Sequence, residues 1–173
     1  MIQTQCETDS VLVSILEHEE GENVNAFELG SFLYYFRAAY VTCLDLIQSE
    51  NITIEQIESL ERTKLVEILG FNKNGNVTDL WLRELSEELD LEFITISKKS
   101  PLKFVAKSAG ASLIALTMAV ILSGGEANVL KGEFKLPPLA HGIRELMDAF
   151  DKQPPNALPS ERRSHENDSP RMG

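Results

Sequence analysis

The order of apolar and polar positions divides the chain into alternating extended and helical stretches. Residues 10–18, from Ser10 through Val11-Leu12-Val13 to His18, are β-branched and aliphatic, and they predict a strand. From Asn25 the period changes. Leu29, Leu33, Phe36, Tyr40, Cys43 or Leu44, and Ile47 recur every three or four positions, which places them on one face of a helix running to about Ser49. Asn25 followed by Glu28 has the form of a capping box at its start. Phe27, Phe32, Tyr34 and Tyr35 make the remaining faces apolar too, so this helix is expected either at the centre of the core or against a partner. Phe32, Tyr34 and Tyr35 are the candidate partner face.

Thr53 with Gln56 marks a second helix start. Ile57, Leu60, Lys64 or Leu65, and Ile68 follow with helical period, and Gly70 is a natural left-handed stop. Asn72 to Asn76 has turn composition. A third helix is predicted from a Thr78 cap to about Leu89, and Leu91 to Ser97 predicts a strand. Pro101 suits the first turn of a helix, and Pro101 to Ser123 is expected to form one helix ended by Gly124-Gly125. A short extended segment over 129–136, with a turn at Lys131-Gly132, precedes a final amphipathic helix opened by Pro137-Pro138. From Pro154 the chain is rich in Pro, Ser, Asn and charge, and it is expected to be a disordered tail.

These elements predict an α+β fold, with a small sheet from 10–18, 91–97 and 129–136 and four to five helices. One of the helices is long and apolar. Four regions follow: an acidic α+β region over 1–97, a basic collar and apolar helix over 98–125, a short extended segment and amphipathic helix over 126–153, and the tail over 154–173.

Charge sharpens this division. The net charge is −11 over 173 residues. Residues 1–97 hold 5 Lys or Arg against 19 Asp or Glu, whereas residues 98–152 hold 8 against 5. An acidic surface repels phosphates, so nucleic acid is not an expected partner. Met1 to Ser10 has no basic and apolar leader pattern. Cys6 and Cys43 lack metal-ligand spacing; one disulfide between them is the alternative, but Cys43 falls in an apolar helical pattern that favours a buried free thiol in a reducing compartment.

The most distinctive segment lies between Lys107 and Glu126, where 18 consecutive residues carry no charge. That is the threshold length for a transmembrane helix. A helix over 101–123 would measure about 34 Å at about 1.5 Å per residue, against a hydrocarbon thickness of about 30 Å. Lys98, Lys99, Lys103 and Lys107 would form a basic collar at one end. Ala111, Ala115 and Ala119, with Ser108 and Ser112 beside them, form a ladder of small residues suited to close helix packing, in lipid or in a homo-oligomer. The same ladder suits a helix buried in a soluble core.

Chemistry candidates are sparse. His18-Glu19-Glu20-Gly21-Glu22 lacks the second histidine of the zinc-protease pattern, although its carboxylates suit a hard cation. No serine stands in a nucleophile elbow, and no glycine pattern has phosphate-binding spacing. No catalytic residue, metal ligand or cofactor is therefore assigned, and an enzyme is not expected.

Ser100-Pro101-Leu102, the small-residue apolar stretch, Ser123-Gly124-Gly125, Leu136-Pro137-Pro138-Leu139 with Gly142-Ile143, and Leu29-Gly30-Ser31-Phe32-Leu33 after a strand ending in His18-Glu19 together resemble a loose group of small uncharacterised bacterial proteins. The resemblance covers about residues 10–150 and implies a bacterial origin, with no activity attached.

The leading expectation is a non-enzymatic, membrane-associated protein whose acidic N-terminal region faces the cytoplasm and binds a protein partner. One alternative is a cytoplasmic interaction or regulatory protein with the apolar helix buried in its core or oligomer interface. A second is a small metal-dependent enzyme using the loop at 17–22.

Overall fold

The computed structural model describes residues 11–17, 25–58, 60–70, 76–97, 103–108, 110–129 and 131–151. Five strands and six helices run in the order β1 (Val11–Glu17), α1 (Ala26–Ser49), α2 (Ile54–Glu58), α3 (Arg62–Leu69), α4 (Val77–Leu82), β2 (Glu92–Ser97), β3 (Lys103–Ser108), α5 (Ala111–Leu122), β4 (Glu126–Asn128), β5 (Glu133–Leu136) and α6 (Leu139–Asp151). The strands form one mixed sheet of order β2-β3-β1-β5-β4. Strand β1 pairs antiparallel with β3 and parallel with β5, while β2 and β4 form antiparallel edges. The α+β expectation holds, with a larger sheet than the sequence suggested.

The expected helix over 101–123 is corrected. Residues 103–108 are strand β3, held between β1 and β2, and the helix α5 begins only at Ala111. Gly110 separates the two with φ 54° and ψ −126°, a conformation that non-glycine residues strongly avoid. Among the described residues no helix is long and apolar enough to cross a membrane. The lack of charge in α5 has a different cause. It packs on β3, β4 and β5 from one side and on α1 from the other, so a helix apolar all round is what its position demands. Strand β5 shows the same layering, with Phe134 and Leu136 buried and Glu133 and Lys135 exposed.

Helix α1 is the hub, packing against α4, α5 and α6 and touching α3. From Ala38 to Leu44 every residue is buried. The Tyr40 hydroxyl donates to the Leu89 carbonyl at 2.6 Å and is also hydrogen-bonded to Ser112. Burial, reinforced by the Asp90 charge, pushes this phenol above its ordinary pKa. Burial likewise raises Cys43, which is a free thiol as expected. Cys6 lies outside the described residues.

Two further boundaries differ from expectation. The helix predicted from Thr53 to Gly70 is divided into α2 and α3. The break sets Arg62 at the start of α3, where it donates to the Leu122 carbonyl at 3.0 Å and pairs with Glu145 at 2.8 Å. That contact ties α3 to the end of α5 and to α6. The helix predicted over 78–89 is capped by Asn76 rather than Thr78 and ends at Leu82. Beyond it, Arg37 donates to the carbonyls of Trp81 and Arg83 and pairs with Asp90 at 3.1 Å. These tertiary bonds to α1 replace helical ones. Gly70 does adopt the predicted left-handed cap, with φ 52° and ψ 52°.

Candidate functional site

The beginning of α1 carries aromatic residues on a face that the fold leaves open. Asn25 caps the helix through its side-chain oxygen, which accepts from the Glu28 amide at 2.8 Å. That fixes the first turn and holds Phe27 outward, with 82% of its surface exposed. Phe27, Gly30, Ser31 and Tyr34 then lie one above another at helical spacing. Together with Ala26 and Tyr35 they line an open depression of about 460 Å³.

Its walls are held by other elements. The Tyr34 hydroxyl is hydrogen-bonded to Thr78 of α4 at 2.8 Å, and its ring lies 5.6 Å from that of Trp81. Tyr34 meets Tyr35 edge to face at 5.1 Å, and Tyr35 in turn lies 6.3 Å from Phe150 of α6. Arg37 stands over Trp81, 5.7 Å from the ring centroid, completing the support from below. The two tyrosines are therefore positioned before anything binds.

Gly30 forms the floor. It lies inside a helix, where glycine costs about 0.5–1 kcal/mol relative to alanine. Its backbone does not require glycine, for its φ is not positive, and a Cβ there would meet nothing within 4 Å. Gly142 of α6 is the instructive contrast: a Cβ there would approach the Phe32 ring to 3.0 Å, so packing of α6 on α1 demands it.

The expected partner face is thus brought together in part. Tyr34 and Tyr35 line the open depression, but Phe32 does not. Phe32 is only 1% exposed and stacks on Phe36 at 5.2 Å. Helical geometry turns it inward, about a quarter-turn or more from its neighbours' open side. The sequence names Phe27 among the apolar residues of this helix, but the candidate partner face leaves out both Phe27 and Gly30. The available signal was an aromatic in the first turn, three residues before a glycine in the helix interior.

The other candidates fall elsewhere. Ser112, Ala115 and Ala119 are buried within the chain where α5 packs, which removes them from any lipid or oligomer surface; Ala111 is partly buried and Ser108 ends β3. Lys103 and Lys107 lie in β3 rather than in a helical collar. Lys98, Lys99 and the loop at 18–22 lie outside the described residues, as does the tail at 154–173. Among the described residues no group of three or more His, Cys, Asp or Glu is placed to hold a metal ion. His141 stands 3.7 Å from Glu145 and is half exposed.

The fold and this face define a small α+β domain built round one buried helix, with an aromatic platform at that helix's open end. Comparison with protein-family models, curated proteins and solved structures gives no match to the chain.

Proposed function

We propose that the chain is a protein-recognition domain that receives a segment of another protein on the open face of α1. The observation that carries this reading is Gly30. The folded chain has no steric use for a glycine there, yet it sits between an exposed phenylalanine and a braced pair of tyrosines. A glycine that lets a partner approach the helix closely gives that arrangement a purpose. Aromatic residues held in place by their neighbours are the residue types that supply most binding energy in protein interfaces. The bilayer component of the sequence expectation rested on a helix over 101–123, and strand β3 occupies part of that stretch.

The test uses a matched pair. A photo-crosslinking residue at Ser31 should trap a discrete partner in the host cell. The adduct should disappear when Phe27→Ala is added, with the melting temperature unchanged. An adduct of equal yield from the Phe27→Ala protein, or none from either, would count against the reading.

A further inference from the structure

We infer that the open face of α1 is the docking site for residues 154–159 of this same chain, Pro154-Pro155-Asn156-Ala157-Leu158-Pro159, and that a partner binds there by displacing them. The inference rests on the docking reading above and adds its regulation.

The fold delivers this segment to the face. Helix α6 ends at Asp151, and the ring of Phe150, in its last turn, lies 6.3 Å from that of Tyr35, which lines the depression. From Tyr35 to Phe27 the depression follows eight residues of α1, about 12 Å at about 1.5 Å per residue. From Phe150 to Leu158 there are also eight residues of chain, which span at most about 26–29 Å when extended. The segment therefore reaches every part of the depression with length to spare. Attachment so close by gives an effective concentration on the order of millimolar, so weak contacts suffice to hold it.

Its chemistry matches the face. None of the six lining residues is charged. Residues 153–160 carry no charge either, although Lys152 precedes them and Glu161 follows. Leu158 is the one aliphatic side chain larger than alanine between Phe150 and Met172, and three of the four prolines beyond Asp151 are Pro154, Pro155 and Pro159. A composition too polar to build a core of its own is still able to dock on one that the rest of the chain provides. Proline-rich segments suit shallow aromatic grooves, because their fixed φ leaves little entropy to lose on docking. Tyr34 and Tyr35 meet at 83°, so they offer a corner rather than one flat surface, and compact pyrrolidine rings suit a corner. At Gly30 no Cβ holds an extended backbone away from the helix.

The experiment places the photo-crosslinking residue at Ser31 of the full chain, which is then purified and irradiated alone. Tryptic digestion should give an adduct of the α1 fragment with residues 153–162, the fragment between Lys152 and Arg162. When isotopically light and heavy chains are mixed, that adduct should join light to light and heavy to heavy. Leu158→Asp should lower its yield about threefold or more. In the host cell the same substitution should raise the yield of the partner adduct about twofold or more, because the face is free more of the time. Adducts joining light to heavy chains would make a second copy the occupant. No adduct with 153–162, or one indifferent to Leu158→Asp, would overturn the docking of this segment, and an unchanged partner yield would overturn the competition. In each of these cases the docking face stands, provided that the Phe27-dependent partner adduct forms in the cell. If that partner adduct forms with neither the wild type nor Leu158→Asp, the docking reading itself is wrong.

Discussion

The middle and the beginning of α1 are both rich in apolar residues and have opposite fates. From Ala38 to Leu44 every residue is buried, while from Ala26 to Tyr35 α4 and α6 brace one side and leave a face open beside Phe27 and Gly30. The difference lies in what the rest of the chain places against each stretch. Apolar residues within one helix therefore divide into those that stabilise the fold and those free to meet something else. Stability and binding should respond separately to substitutions in the two stretches.

The largest effect belongs to the enclosed stretch. Phe36→Ala removes a fully buried ring stacked on Phe32 and should lower unfolding free energy by about 3–5 kcal/mol in a urea titration. A cost under about 1 kcal/mol would erase the contrast. Next is Tyr40→Phe, which leaves the Leu89 carbonyl without its donor and should cost about 1–3 kcal/mol by the same measurement. At the open end the sign reverses. Gly30→Ala adds a methyl group to open space in a helix and should raise stability by about 0.5–1 kcal/mol while weakening partner binding. The smallest stability effect is expected for Phe27→Ala, within about 0.5 kcal/mol of wild type by thermal unfolding, with binding lost.

Much of this architecture could be read from residue patterns, where local chemistry and tertiary packing agree. The Asn25 cap, the 3.6-residue period of α1, the Gly70 stop, the Gly132 turn and the amphipathic α6 are all local signals that the fold leaves intact. Strand β3 was misread because the 18 uncharged residues seemed to continue a helix begun at Pro101, and pairing with β1 and β2 is a non-local cause. Gly110 was the one local warning. Helix α4 stops early because Arg37 and Tyr40, more than forty residues away in the chain, bind the following carbonyls. For the candidate site, aromatic composition pointed to Tyr34 and Tyr35. Separating them from Phe32 required the helix orientation, which depends on where α6 and α5 dock.

The central claim is that the first two turns of α1 are the binding surface, and backbone amide shift mapping by NMR tests it most directly. With a peptide that binds the chain but not the Phe27→Ala protein, the account predicts shifts within residues 11–151 confined to residues 26–35, the Trp81 indole and the end of α6 near Phe150. Shifts centred on the β4–β5 hairpin, with residues 26–35 unmoved, would contradict it.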